Sequence, residues 1–355
     1  MTPLSDLGEF GLIDRLAATL GPPADPDVLV GIGDDAAVYR VGEGRVHVVT
    51  TDALVEGVHF DRAFTPLERL GFKAISVNVS DVAAMNARPR FATVALGLPS
   101  GLAAEDVDAL YRGMRRAAER YGLTLVGGDT TNARSLLLSV TVIGEAAEED
   151  VALRSGARAG HIVCVTGDVG AAFAGLKLLL DGREKLRADA AFVPDFAASQ
   201  YVLARQLAPV ARLDLVEAFA HAGVRPSAMI DVSDGLAAEI HHLCRASGVG
   251  ARLYEAAFPI DDETRAVAAR FGDDAPVYAL FGGEDYELLF TMPEADLVKL
   301  PPQGLFTPIG RVVEAGDGVL VQTEEGDEIP LEAGGFDHFG TASEQADRGD
   351  PPVNG

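Results

Sequence analysis

Apolar positions recur at helical spacing over residues 4–20, and Asp6 and Glu9 stand three apart like a capping pair at the start of that helix. Short strand-like runs follow at 28–32, 36–40 and 45–51. Thr65-Pro66-Leu67-Glu68 has the makeup of a helix start, with a Thr cap, Pro first and Glu third, and predicts a helix to about Met85. A strand over 91–98, a helix over 105–121 and strands over 123–127 and 136–144 complete the first half. An acidic break at 145–150 leads into Arg154-Ser155-Gly156 and a new strand at 162–166. The pattern then predicts helices at 171–180, 196–207, 213–222 and 234–246, and strands at 228–231, 251–254, 286–291 and 319–322. The expected fold class is α/β (α+β), two domains, each a mixed sheet with helices packed on it. The domains are expected at 1–145 and 146–339. Residues 340–355 carry no apolar pattern and are expected to form a disordered tail.

Composition sharpens this picture. Hydrophobic residues make up 48% of 355, ample for two cores. Against 29 Lys and Arg stand 54 Asp and Glu, and a net charge of −25 argues against nucleic acid, whose phosphates demand cations, and against anionic membranes. An anionic small substrate would need metal ions to offset the protein's own carboxylates. No run of 18 apolar residues suggests a membrane span, and the acidic N-terminus is unlike a secretory signal. Cys164 and Cys244, far apart in apolar surroundings, read as two buried thiols of a reduced, cytoplasmic protein.

The aspartates carry the chemistry. Asp34 and Asp35 end one apolar run through Gly31-Ile32-Gly33, and Asp52 ends another after Thr50 and Thr51. Asp81 follows Ser76-Val77-Asn78-Val79-Ser80. Asp129 follows Gly127-Gly128, and Asp231 and Asp234 frame Val232-Ser233. Beside Gly, Ser and Thr, any one of them is as well explained as a cap or turn former. Five or more in similar settings point instead to hard oxygen ligands for Mg²⁺, which shares its shell with substrate phosphates. That combination indicates phosphoryl chemistry.

Several near-motifs fail on mechanism. Gly31-Ile32-Gly33-Asp34-Asp35-Ala36 is close to a dinucleotide fingerprint, but aspartates occupy the turn and a strand, not a helix, is predicted next. Gly170 and Gly175 have P-loop spacing, yet Lys177 comes one position late and Leu178 replaces Ser or Thr. His241-His242 has no metalloprotease spacing, and no covalent nucleophile signature is visible.

Five segments give a resemblance: G-I-G-D-D-A from Gly31, T-T-D-A-L-V-E-G-V-H-F from Thr50, S-V-N-V-S-D-V-A-A-M from Ser76, D-V-S-D-G-L from Asp231 and F-G-G-E-D-Y-E-L-L-F from Phe281. With G-E-F-G-L-I from Gly8 and G-F-D-H-F from Gly335, the chain resembles the thiamine-monophosphate kinase family over residues 8–339. That family lies within the aminoimidazole-ribonucleotide-synthetase-like superfamily. The resemblance implies that fold, transfer of the ATP γ-phosphoryl group to thiamine monophosphate, ATP held between the two halves of each chain, and a homodimer through the N-terminal domains. Carried over by position, it implies that Asp35, Thr50, Thr51, Asp52, Asp81, Asp129, Asp231 and Asp234 ligate several Mg²⁺ ions. ATP would meet Tyr111, Gly128, Asp129, Arg154 and Ser233. Thiamine monophosphate would meet His59, Glu284 and Phe336, the last standing where relatives carry Trp or Tyr.

The physics fits. A phosphate acceptor is already an ionised nucleophile, so positioning and neutralisation suffice without a general base. Arg154 suits bidentate contact with phosphate, and Glu284 suits an amine-bearing substrate. Alternatives stay open: a sister enzyme of the superfamily with another acceptor, or a non-catalytic Mg²⁺/nucleotide-binding module. A selenophosphate synthetase is disfavoured because the first Cys is Cys164, and a hydrogenase-maturation relative because the chain ends in Gly355.

Overall fold

The computed structural model describes residues 4, 7–189, 191–301 and 304–334. Strands β1 (Val28–Val30), β2 (Ala37–Gly42), β3 (Arg45–Val55), β4 (Arg88–Leu98), β5 (Thr124–Asn132) and β6 (Leu137–Ala147) form one sheet in the order β1-β2-β3-β6-β4-β5. All its pairings are antiparallel except β4–β5. Helix α1 (Gly8–Leu20) precedes the sheet, and α2 (Leu67–Ala84) and α3 (Ala104–Tyr121) connect its strands. Burial alternates along β6, so one face of this sheet is packed and the other is open. Val82, Leu110 and Met114 of the helices share the packed-face cluster with Val48, Val94 and Val140.

A second sheet is built from β7 (Ile162–Thr166), β8 (Ala228–Asp231), β9 (Gly250–Tyr254), β10 (Leu288–Met292), β11 (Phe306–Val313), β12 (Val319–Gln322) and β13 (Glu328–Pro330), in the order β13-β12-β9-β11-β7-β10-β8. Helices α4 (Ala171–Ala188), α5 (Gln200–Leu207), α6 (Leu213–Ala222), α7 (Leu236–Ser247), α8 (Asp262–Phe271), α9 (Ala275–Phe281) and α10 (Glu294–Leu297) surround it. Its central strands are buried on both faces. Val163 and Val165 meet Ile240 and Leu243 of α7, while Ile162 and Cys164 meet Leu215 and Phe219 of α6. β7, β8 and β10 therefore read as continuous apolar runs rather than alternating ones.

Most predicted elements appear within a few residues of their expected bounds. Two expected caps do not. Leu7 occupies the cap of α1 and Pro66 that of α2, neither with a side-chain hydrogen bond; Asp6 itself lies outside the described residues. The expected tail at 340–355 also lies outside them. Among the described residues, no helix is long and apolar enough to cross a membrane. Cys164 and Cys244 are buried and unpaired, and burial pushes both thiols up to about 12.

Helix α2 is the spine of the molecule. Leu70, Ile75, Val79 and Val82 pack on the first sheet, while Ala83 and Ala84 join Met229 and Phe290 of the second. It is buried nearly all round and carries Ser76, Asn78 and Ser80 inside the protein. Its crossing with α3 is set by two glycines. A Cβ at Gly71 would lie 2.0 Å from the Leu110 carbonyl oxygen, and one at Gly113 1.9 Å from that of Glu68. Gly71→Ala is therefore expected to destabilise the chain by about 3 kcal/mol, measured by urea unfolding. An unchanged unfolding midpoint would mean that the crossing has slack.

Candidate functional site

A cavity of about 1160 Å³ opens between the two sheets, floored by α2, β3 and the loops after β1 and β8. Its centre is acidic. Carboxylate oxygens of Asp35, Asp81 and Asp231 all lie within 4.8 Å of one another. Asp35 comes from the turn after β1, Asp81 from the last turns of α2, and Asp231 from the end of β8. Hydroxyls steady two of them: Thr50 Oγ1 donates to Asp81 at 2.5 Å and Ser80 Oγ to Asp231 at 2.7 Å. Asn78 of α2 accepts the backbone N–H of Asp52 at 3.0 Å, tying β3 to the helix beside them.

Burial and mutual repulsion push these carboxyls up. Burial raises Asp81 well above the usual range, and Asp52, Asp231 and Asp35 add to it. Asp231 rises to about 8, through burial first and Asp35 second. Burial alone brings Asp52 to about 6. Two unit charges about 4 Å apart repel by roughly 4 kcal/mol at an effective dielectric near 20. Asp35 Oδ2 is buried and has no hydrogen-bond partner. Hard oxygens converging around an orphaned carboxylate oxygen fit a divalent cation such as Mg²⁺.

On one side of this centre stands Arg154. Its Nε and Nη2 donate to Asp35 Oδ1 at 3.1 and 2.5 Å, and its backbone N–H meets the Asp34 carboxylate at 3.2 Å. Burial, then Asp35, raises Asp34 to about 6. Buried Glu239 accepts from Ser233 and Asp234, its Oε1 lying 2.9 Å from the Asp234 nitrogen. Glu239 thereby shapes the turn that carries both. His242 also lines this side, its pKa lowered to about 4 by burial and then by Arg154.

His59 and Glu284 line the same cavity. His59 Nδ1 accepts the Val55 N–H at 3.0 Å, which assigns the ring proton to Nε2 when the ring is neutral. Glu284 sits in the loop 282–286, whose backbone is sewn to the Asp231–Asp234 turn by Glu284 N to Ser233 O at 2.6 Å and Tyr286 N to Val232 O at 2.8 Å. Asp285 anchors the same loop, accepting from Gly170 N at 2.6 Å and Ala172 N at 3.0 Å at the start of α4. Aromatic and aliphatic side chains, Phe64, Phe173, Leu176 and Leu180, complete this end.

The structure thus gathers Asp35, Thr50, Thr51, Asp52, Asp81, Arg154, Asp231, Ser233, Asp234, His59 and Glu284 around one cavity. Thr51 is turned away from the carboxylates, its hydroxyl donating to Val140 O at 3.1 Å. Tyr111, Gly128 and Asp129 do not line the cavity. Strand β5 continues through Gly128 and Asp129 instead of ending before them. The register runs Ala53–Ser139–Ala95–Asp129, so Asp129 stands three strand spacings, about 14 Å, from the neighbour of Asp52. Gly128 has a packing reason of its own, since a Cβ there would fall 1.8 Å from the Val94 carbonyl oxygen. Phe336 lies outside the described residues. Sequence reasoning missed Asp34 as a partner of Arg154, and it missed Glu239, Lys73 and Gln206. The signals were thin: a Glu early in a helix after Ser and Asp, and a lone Lys in the apolar run of α2.

Comparison with known proteins places the chain in a family. Residues 33–146 match the model "AIR synthase related protein, N-terminal domain", and residues 158–322 its C-terminal counterpart. The thiamine-monophosphate kinase of Aquifex aeolicus is 39% identical, over 95% of this chain and 99% of the relative. The chain belongs to the thiamine-monophosphate kinase family. A second relative of that name, from Mycobacterium tuberculosis, is 40% identical over 91% of this chain and 90% of its own. A solved structure described as "AaThiL complexed with AMPPCP and TMP" superposes with a TM-score of 0.81 at 38% identity, covering 95% of this chain and 99% of that one.

Proposed function

We propose that this chain transfers the γ-phosphoryl group of ATP to the phosphate of thiamine monophosphate, giving ADP and thiamine diphosphate, the last step in making that cofactor. The observation that carries this reading is the convergence of Asp35, Asp81 and Asp231 in one cavity that Arg154, Ser233, His59 and Glu284 also line. The family membership and a relative solved with AMPPCP and TMP support donor and acceptor alike.

The transfer is in line: an acceptor phosphate oxygen forms a bond to Pγ as the bond from Pγ to the β,γ-bridging oxygen breaks, and that oxygen leaves with ADP. No side chain need take a proton, because the attacking oxygen is already ionised. Mg²⁺ held by Asp35, Asp52, Asp81, Asp231 and Asp234 would neutralise the phosphates that meet there. Arg154 would pair with donor phosphate, Ser233 would donate to it, and His59 and Glu284 would orient the acceptor.

Tyr111, Gly128 and Asp129 fit this reading through a homodimer. They stand on the N-terminal half, where the open sheet face exposes Phe91 and Val126 and where, among the described residues, β5 is an edge strand. A second copy docked there would cover that face. Two buried, unpaired thiols suit a reducing compartment, which we take to be the cytoplasm.

The deciding assay measures ADP from Mg-ATP with and without thiamine monophosphate, with thiamine diphosphate identified by mass. One thiamine diphosphate per ADP is expected. Turnover on another acceptor alone would move the chain to a sister activity, and no turnover at all would make it a binding module.

A further inference from the structure

Three features that weigh against stability meet at one carboxylate. Lys73 of α2 is the one buried lysine among the described residues, its side chain 3% exposed, and its Nζ donates to Glu284 Oε1 at 2.7 Å and to the Gln206 carbonyl at 3.3 Å. Burying an ammonium is unfavourable unless its partner is well placed. Gln206 of α5 donates Nε2 to Glu284 Oε2 at 2.5 Å. A carboxylate demands a donor, so the amide's orientation is settled by Glu284, and Gln206 Oε1 is left buried with no partner. Glu284 itself adopts φ of 59°, and Tyr286 53°, in the left-handed region that side chains disfavour. Strained backbone and unmet polar groups persist where the surroundings over-determine them, and they cluster at functional sites.

We propose that Lys73 and Gln206 are positioning residues that clamp Glu284 as the receptor for an amino group on the acceptor, and so set specificity for an amino-bearing pyrimidine over its oxo analogue. The clamp occupies one lone pair on each Glu284 oxygen and leaves the others for the cavity, which all three residues line. An acceptor-only group so fixed rewards an N–H donor. It repels a carbonyl, because a carboxylate oxygen has no proton to offer there. Lys73 is two turns from Asp81 on the same buried helix, so the distance from receptor to metal centre is fixed by α2. This inference rests on thiamine monophosphate being the acceptor, whose pyrimidine bears the amino group.

The test compares thiamine monophosphate with oxythiamine monophosphate, in which a carbonyl replaces that amine. The parent chain, Lys73→Met, Gln206→Met and Lys73→Arg are assayed after each is shown to unfold cooperatively. In the Met variants KM for thiamine monophosphate is expected to rise about 10- to 100-fold with KM for ATP nearly unchanged. Their preference for the amino over the oxo substrate is expected to fall at least about tenfold, and Lys73→Arg to recover part of it. A merely structural Lys73 would depress both substrates alike; an unchanged preference ratio in the folded variants overturns the clamp. Gln206→Met leaves the Lys73–Glu284 pair in place and decides the matter if Lys73→Met does not fold. If the parent chain phosphorylates neither compound, the function reading has failed, an outcome distinct from loss of the clamp.

Discussion

Asp81→Asn is expected to lower thiamine diphosphate formation by about a thousandfold or more, the equivalent of roughly 4 kcal/mol in the barrier, while raising the melting temperature of the metal-free protein. The two effects have one cause. Asp81 shares a 4.8 Å cluster with Asp35 and Asp231, and without a cation the three repel. Asparagine keeps the shape and still accepts from Thr50, now through its amide oxygen, but removes one charge. Relief of about 1 kcal/mol would raise the midpoint by roughly 1–2 °C. On the proposed reading the same change would delete a metal ligand, so the rise in midpoint on adding Mg²⁺ should shrink sharply. Equal Mg²⁺ stabilisation in parent and variant would remove Asp81 from the metal site.

The pH dependence follows from the same carboxyls. Folding raises their pKa, so the folded metal-free chain keeps protons that the unfolded chain has released. Stability is then fully present in acid and falls as pH rises from the ordinary carboxylate value of 3.8 through about 6 for Asp52 and about 8 for Asp231. Thermal melts in chelator between pH 5 and 9 should show this decline, flatter in Asp81→Asn. A metal-free midpoint that climbs across that range would contradict the shared burial of these groups.

How the site was assembled explains what the sequence disclosed. Asp35, Asp52 and Asp231 were legible because each ends a short apolar run, and Asp81 because Thr65 to Glu68 announce the helix that carries it. Those signals are local. Asp129 looked identical by the same test, yet β5 runs on past it and the strand order sets it about 14 Å away, three strands over from β3. Strand order is a property of the whole sheet and leaves no mark in a run of six residues. Strand β11 went unread because Pro308 and Gly310, at a register break, look like a turn. Lys73 and Gln206 come from helices far apart in sequence, so their meeting at Glu284 had no local signature.

Arg154→Met is expected to cut kcat/KM for ATP by about 100- to 1000-fold and, at the same time, to tighten Mg²⁺ binding to the nucleotide-free protein. In the structure the guanidinium is engaged by Asp35, both of its bonds falling on Oδ1, while Oδ2 has no partner. We expect Arg154 and a metal ion to contest Asp35, because a cation on that carboxylate would face the guanidinium charge across it. A cation on Asp35 would free the fork beside the same cavity, where a phosphate offers two oxygens in matching geometry. Methionine keeps the length and apolar stem but neither competes with the metal nor binds phosphate. Its backbone still meets Asp34 through the N–H, so the turn should hold. Arg154→Lys should fall between the parent and Arg154→Met, since an ammonium keeps the charge without the fork. Calorimetric titration with Mg²⁺ in the absence of ATP reads the competition, and steady-state kinetics read the phosphate contact. Weaker Mg²⁺ binding in Arg154→Met would show that the arginine organises Asp35 for the metal instead of contesting it, and an unchanged KM for ATP would take Arg154 out of the phosphate site.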